Sequence, residues 1–420
     1  MQAAEKIQFQ TLVNQSLMGL GSGRGNSPTL PAAPMIRLVD RIIHDAIDQQ
    51  SSDIHVEPLT GGLRVRFRVD GILRAPYPLL PSQLKETMVS RIKVMARLNT
   101  AEHRLPQDGR FTYDYDGIPV DVRVASMPVV NGEKVVLRLL SGARRLLHLS
   151  EMDFSPENER LFRRWCHAPY GLILNVGPVN SGKTTTLYAA LNELNTPGKN
   201  IVSIEDPVEY YLEGINQMQI NQQISLSFAV GLRAILRQDF DVCMVGEIRD
   251  EETADIAVKA ALTGRLMLTT LHTANAVDAI FRLLDMGVKP YFLFAALLGI
   301  VAQRLVLRLC PECREAYVVE PGSADAAVLG PLFTEGVTAY RPVGCEKCGG
   351  TGYNGRMAIQ ELLPATEDLQ QAVLAGANRR ETSELARKLG MATLLEDGLK
   401  KALAGETSIE EVGRVVYGAI

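Results

Sequence analysis

The spacing of apolar and polar positions changes period several times along this chain, and those changes divide it. Over residues 3–18, Ile7, Phe9, Leu12, Val13 and Leu17 recur at roughly helical spacing. GLGSGRGNSPTLPAAP (19–34) follows, with the Gly, Ser and Pro content of a flexible linker. Residues 1–35 therefore read as a short docking helix for a partner and a linker, a frayed terminus being the plainer alternative. RLVDRIIHDAIDQQ reads as an amphipathic helix, while DIHVEP, GLRVRFRVDG and PVDVRVASMP alternate with the period of two of half-buried strands. In the last of these, Val120, Val122 and Val124 share one face and Asp121 and Arg123 the other. These elements predict a small α/β domain over 36–145. Its final segment, VVLRLL, is apolar except for Arg138. An unpaired guanidinium inside an apolar strand is costly, so Arg138 needs a partner in its own fold or across an interface.

Residues 151–308 alternate strand and helix patterns, the sign of a mostly parallel sheet covered by helices. Residues 309–356 are turn-rich and carry four of the cysteines. The end of the chain, 357–420, reads as a helical subdomain, with three short amphipathic helices broken at Gly376, Gly390 and Gly405.

With 420 residues the chain exceeds one core, in keeping with two or three domains. A formal charge of −4 leaves no basic footprint for nucleic acid. No apolar run reaches about 18 residues, and MQAAEKIQFQ lacks the basic and apolar regions of a signal peptide. A cytosolic location is the expectation. Thiols stay reduced there, so paired Cys-x-x-Cys units read as metal ligands before disulfides.

GLILNV (171–176) suits a buried strand and leads directly into Gly177-Pro178-Val179-Asn180-Ser181-Gly182-Lys183-Thr184, then Thr185 and a helical stretch. Strand, glycine-rich loop and helix, in that order, form the cradle that phosphates need. The glycines let backbone N–H groups approach, and the helix N-terminus adds its positive dipole end. Lys183 is expected on the β- and γ-phosphates, and the Thr184 hydroxyl on Mg²⁺. Two further apolar strands end in carboxylates: IVSIEDPVEY carries Glu205, Asp206 and Glu209, and DVCMVGEIRD carries Glu247. In a parallel sheet the strand C-termini converge on the nucleotide crevice, where a carboxylate holds Mg²⁺ or orients the attacking water. RLMLTTLHT ends in His272, placed to sense the nucleotide or to bond that water. Cys310-Pro-Glu-Cys313 and Cys345-Glu-Lys-Cys348 suit a closed tetrahedral Zn²⁺ site, with an iron–sulfur cluster or redox pair as the competing reading.

GPVNSGKTTTLY, IEDPVEY, LRAILRQD, VGEIRDEETA and LTGRLMLTTLHT, preceded by SSDIHVEP and LPQDGR, together resemble the type II secretion and type IV pilus traffic ATPases over about residues 36 to 420. The resemblance implies an α/β fold: a PAS-like domain (36–145), a RecA-like ATPase domain (151–308), a tetracysteine zinc subdomain (309–356) and C-terminal helices (357–420). It further implies a cytoplasmic homo-hexamer that hydrolyses ATP with Mg²⁺. Such a ring works on an inner-membrane platform and is membrane-associated only through partners. Lys183 and Thr184 match Walker A, Glu205 the Asp box, Glu247 Walker B with a share in the metal, and His272 the His box. Arg233 and Arg237 match arginines before the Walker B strand, four residues apart and so on one helix face. Arg123 and Arg138 match arginines that the preceding domain brings to the nucleotide. The tetracysteine insert resembles that of the secretion and pilus-extension ATPases rather than the retraction type, which tilts the implied role toward assembly. Two positions depart from the pattern: Arg265 stands where a histidine is usual and Phe240 where a proline is. The competing function is a nucleic-acid translocase, which shares the RecA-like core.

Overall fold

Residues 3–21, 32–140 and 147–418 are described by the computed structural model, and they separate into two units, Met1–Arg145 and Leu146–Ile420. In the first unit the period-two segments pair as an antiparallel sheet. Its elements are α1 (Ala3–Gly21), α2 (Ala32–Asp48), β1 (Asp53–Leu59), β2 (Gly62–Val69), β3 (Ile72–Arg74), α3 (Lys85–Met95), β4 (Gln107–Tyr115), β5 (Ile118–Val129) and β6 (Gly132–Leu140). The strands lie in the order β3-β2-β1-β6-β5-β4, with every neighbouring pair antiparallel. Val120, Val122 and Val124 of β5 and Val135, Leu137 and Leu139 of β6 face the helices and are at most 5% exposed.

Two expectations change here. Phe9 and Val13 of α1 are buried in this unit's own core, and the Phe9 ring stacks on Tyr77 with centroids 3.9 Å apart. The apolar side of α1 is thus covered by its own chain, in place of an apolar face offered to a partner. Of the linker stretch, residues 22–31 lie outside the described residues, and α2 already begins at Ala32. Arg138 is the second change. Its neighbours Leu137 and Leu139 point inward, so the alternation turns Arg138 outward, and its side chain is 64% exposed. Its Nε donates to Asp53 Oδ1 at 2.9 Å across the β1–β6 pair. The partner lies in its own fold. Register sets Arg68, Asp53, Arg138, Arg123 and Arg110 in one row across five strands, four guanidiniums with one carboxylate.

The second unit opens with α4 (Pro156–Cys166), β7 (Gly171–Val176), α5 (Lys183–Leu194), β8 (Ile201–Glu205), β9 (Asn216–Gln219), α6 (Phe228–Ile235), β10 (Val242–Val245), α7 (Glu251–Leu262) and β11 (Leu266–Leu271). It continues through α8 (Ala276–Asp285), α9 (Pro290–Ala296), β12 (Leu297–Leu309), β13 (Glu315–Val318), α10 (Ala324–Leu329), β14 (Thr338–Arg341) and β15 (Tyr353–Pro364). Helices α11 (Glu367–Leu374), α12 (Arg379–Lys388), α13 (Leu394–Leu403) and α14 (Ile409–Tyr417) end it. The sheet order is β15-β12-β7-β11-β10-β8-β9, parallel from β12 to β9 with β15 antiparallel at one edge. Every residue of β7, β8, β10 and β11 is buried, as apolar runs covered on both faces require.

One domain limit shifts, and one helix is added to the expected three. The division expected at residue 357 falls inside β15, so the cysteine-bearing segment is an insertion between two paired strands of the main sheet. The three glycine breaks separate four helices, and all three glycines adopt the left-handed backbone that ends a helix, with φ of 91, 95 and 75°. No helix among the described residues is long and apolar enough to cross a membrane.

Phe9 offers a direct test of where α1 belongs. Phe9→Ala removes a buried, stacked ring and should cost about 3 kcal/mol in the first unit. Urea unfolding followed by far-UV circular dichroism should show the loss. Trp165, the single tryptophan, reports the second unit by fluorescence and separates the two contributions. A variant whose circular-dichroism transition matches the parent would show α1 contributing nothing to that core.

Candidate functional site

The phosphate-type loop joins the buried end of β7 to the first turn of α5. Its backbone leaves the region open to most residues at Gly177 (φ 152°), Asn180 (φ 64°) and Gly182 (φ 86°). A Cβ at Gly177 would lie 2.3 Å from the Gln303 carbonyl oxygen, and one at Gly182 2.7 Å from Gln303 Nε2. The loop can therefore close only with glycine at both places. Pro178, Val179 and Asn180 form its exposed tip, and Ser181 is buried. Lys183 is 8% exposed and folds back into the loop, its Nζ donating to the carbonyls of Gly177 and Pro178 at 2.9 and 2.8 Å. Burial pushes this ammonium down to about 8, against the opposing pull of the Glu247 charge. Thr184 and Thr185 stand in the first turn of α5, half-buried.

Two neighbouring strands end beside this loop. β7 pairs with β11, which pairs with β10, and all three run parallel. His272, just past β11, and Glu247, two residues past β10, meet with Nε2 3.2 Å from Oε2. The other Glu247 oxygen accepts from Arg249 Nη2 at 2.6 Å, and Arg249 Nη1 lies 3.5 Å from Asp206. Burial works against the Glu247 charge, but Arg249 and His272 outweigh it and hold the carboxyl below its ordinary value. Arg249 was not among the expected site residues, although GEIRD carries it in plain view.

The other predicted residues fall in different places. Glu205 is 2% exposed and accepts hydrogen bonds from Tyr188, from Ser203 Oγ and from Gln217 Nε2 at 3.1 Å. Burial raises its pKa against those three donors. The acidic group of this strand end that reaches the Glu247 cluster is Asp206, through Arg249. Arg233 pairs with Glu252 on the exposed side of α6. Arg237 lies beyond the helix, past its C-cap Leu236, and donates to the Arg233 carbonyl at 2.9 Å. The shared helix face expected for these two is thus absent, because the helix ends at Ile235. Arg123 and Arg138 belong to the first unit, on the row already described. Arg265 precedes β11 at the strand end opposite His272, about 20 Å away along the backbone. Its guanidinium sits 5.0 Å over the Phe240 ring, so the two departures from the family pattern pack on each other.

The four cysteines at the base of the insertion converge. Cys310 and Cys345, like Cys313 and Cys348, have sulfurs 3.9 Å apart, and Cys345 and Cys348 are 3.8 Å apart. With Zn–S bonds of about 2.3 Å, the edge of a tetrahedral S₄ site is about 3.8 Å. The donor set therefore fits zinc. Backbone amides of Cys345 and Gly352 each donate to Cys348 Sγ at 3.1 Å, which favours the thiolate a metal requires. Lys347 and Glu312 join the two knuckles at 2.6 Å. Cys166 and Cys243 lie outside this cluster, buried among apolar side chains.

A mostly parallel sheet with an interior strand that feeds a glycine loop and helix, and with a carboxylate and a histidine on neighbouring strand ends, defines a RecA-like P-loop nucleoside triphosphatase. The comparisons narrow that class. Residues 30–414 match the Type II/IV secretion system protein family, and the chain belongs to it. It is 49% identical over 386 residues to the type II secretion system protein E of Dickeya dadantii, covering 91% of this chain and 76% of that protein. It is 47% identical over 376 residues to the type IV pilus assembly ATPase PilB of Thermus thermophilus, covering 90% of this chain but 42% of that relative. Among solved structures, the pilus retraction motor PilT with bound ADP aligns with a TM-score of 0.60 at 25% identity, over 89% of this chain and 95% of PilT. The Legionella pneumophila ATPase DotB aligns at 0.67 over 91% of this chain and 96% of DotB and, at 21% identity, supports the fold alone. The family, the α/β fold class and the ATP-hydrolase class agree with the motifs read in the sequence.

Lys183 sets a pH test. An anion in the loop stabilises its ammonium, so binding takes up a proton once the empty loop's lysine is neutral. Affinity for a fluorescent ADP analogue should then fall as pH rises past about 8, by up to about tenfold per unit, and be level below it. Lys183→Ala should bind weakly with a level profile. A parent affinity unchanged from about pH 7 to about pH 9.5 would contradict this.

For the cysteine cluster, purified protein should carry about one zinc per chain. Cys310→Ser should lower zinc content and thermal stability while leaving nucleotide affinity near that of the parent. Metal-free protein prepared without chelator, or an iron–sulfur absorption band, would refute the zinc assignment.

Proposed function

We propose that this chain is the ATP-hydrolysing motor subunit of a protein-secretion or pilus-assembly system. The observation that carries the reading is the Glu247–His272 pair, 3.2 Å apart, on strand ends adjoining the loop that holds Lys183. In this reading the loop amides and Lys183 hold the β- and γ-phosphates, with residues Gly177 to Thr185 forming the cradle. Thr184 and Glu247 hold Mg²⁺, which supplies charge neutralisation between the phosphates. His272, hydrogen-bonded to Glu247, faces the γ-phosphate end and reports its presence through that bond. Arg249 keeps Glu247 ionised and ties it to Asp206. Glu205, its oxygens engaged by Tyr188, Ser203 and Gln217, anchors the strand end that carries Asp206.

The rest of the reading concerns assembly. The chain forms a homo-hexamer at the cytoplasmic face of the inner membrane, bound there through platform and assembly proteins of its system. Arg123 and Arg138 supply cations to the nucleotide of a neighbouring subunit, and Arg233 and Arg237 serve the same boundary. The row that sets Arg68, Arg138, Arg123 and Arg110 side by side across the strands supports an anionic partner for that face. The cysteine insertion holds structural zinc.

Hydrolysis assays test this directly. Lys183→Ala should lose turnover and nucleotide affinity together, whereas Glu247→Gln should keep affinity and lose at least about a hundredfold in kcat. Single-stranded DNA should leave the rate unchanged; strong stimulation would favour a translocase. Neither inactive Arg138→Ala nor inactive Lys183→Ala should turn over alone, yet mixed rings should recover activity if Arg138 acts between subunits. Parent-level hydrolysis by both Lys183→Ala and Glu247→Gln would end the motor assignment.

A further inference from the structure

Among the buried polar side chains of the second unit, Gln303 has no part in the chemistry described so far. It lies in β12, next to β7 in the sheet, and is 3% exposed. Both ends of its amide are used. Nε2 donates to the Ser181 carbonyl, inside the phosphate loop, at 2.9 Å, and Oε1 accepts from the Thr186 hydroxyl in the first turn of α5 at 2.8 Å. Thr186 is fully buried. A single side chain thus fastens the C-terminal half of the loop to the helix it starts. Sequence separations of 122 and 117 residues make both contacts products of the fold. Gln303 also touches the loop sterically. Its carbonyl and its Nε2 are the atoms that any side chain at Gly177 or Gly182 would strike.

We infer that Gln303 is a positioning residue for nucleotide binding, acting through Ser181 and Thr186 on the loop amides. The inference rests on the phosphate-loop reading above and adds to it a residue outside the motifs quoted from the sequence. In the closed loop Lys183 braces the carbonyls of Gly177 and Pro178. An incoming phosphate competes for that ammonium, and the brace on the loop's first half is given up. The Gln303 bonds are buried, out of reach of a ligand at the exposed side of the loop. They keep the second half of the loop in shape. The buried amide of Asn175 in β7 gives a weaker brace, to the Lys183 carbonyl at 3.4 Å. Amides that bind the phosphates equally before and during hydrolysis affect KM rather than kcat.

Full-length variants test this with a fluorescent ADP analogue and ATP turnover. Gln303→Met keeps the length and removes both hydrogen bonds, leaving the Ser181 carbonyl and the Thr186 hydroxyl without them. It should raise the analogue's Kd and the KM for ATP about tenfold, with kcat within about twofold of the parent. Gln303→Glu keeps the acceptor for Thr186 but sets a carboxylate oxygen against the Ser181 carbonyl, and should weaken binding at least as much. Thr186→Val should raise Kd about threefold, and combined with Gln303→Met it should add nothing further, because both remove one shared bond. Kd for Gln303→Met within twofold of the parent, a loss confined to kcat, or full additivity of the two changes would each overturn the inference. If Gln303→Met does not fold, Thr186→Val decides alone, and an unchanged Kd overturns it. Failure of the parent itself to bind nucleotide, or equal binding by Lys183→Ala, would overturn the phosphate-loop reading and this inference with it.

Discussion

Strands paired in a parallel sheet are held in a fixed register, because each backbone N–H and C=O finds its partner one strand over. In this chain that pairing sets Leu271 beside Val176, Val245 beside Thr269 and also beside Ile204. Beyond those positions the chain leaves the sheet, still tied by Gly246 N–H to the Ile204 carbonyl at 2.7 Å and Ile248 N–H to the Thr270 carbonyl at 3.0 Å. The loop holding Lys183, the imidazole of His272 and the carboxylate of Glu247 meet because their strands cannot slip past one another. A one-residue shift of β10 would turn its side chains to the other face of the sheet. Everything proposed about hydrolysis depends on that register.

Much of this was legible in the sequence, for a physical reason. Runs such as GLILNV and DVCMVG are apolar on both faces because helices cover both, and the polar residues closing each run mark where the strand reaches solvent. Glycine spacing around Lys183 reported backbone geometry that few other sequences permit. The misreadings share a cause as well. Arg138 read as buried because Val136 and Leu140 on its own side of β6 are also apolar, and they hide the alternation that turns it to solvent. Arg233 and Arg237 read as one helix face because spacing says nothing of where a helix stops. Phe9 and Val13 showed an apolar stripe but not what covers it.

Contacts formed only by the fold had no local signal. Tyr188 and Gln217 reach Glu205 from α5 and β9, and Gln303 reaches the phosphate loop from more than a hundred residues away. Each is an unremarkable polar residue in its own segment. Their meaning comes from burial: an amide or hydroxyl withdrawn from water is stable only where another polar group meets it.

The cysteine insertion has a consequence of another kind. Leu309 and Tyr353 are opposed in the β12–β15 pair, and the whole insertion, from Cys310 to Gly352, is the connection between them. Topologically it is an overgrown hairpin turn. Lengthening a loop costs only about 0.6 kcal/mol for each doubling, so the main sheet is nearly indifferent to how long that turn is. The extra length is held in two places: four sulfurs converge at its base, and Val319, Leu329 and Ala339 pack on Leu399, Ala402, Ile409 and Val412 of α13 and α14. The length of that turn is thus free of the sheet, but its apolar side is not: cutting the lobe away would uncover Leu399, Ala402, Ile409 and Val412 on the helices that close the chain.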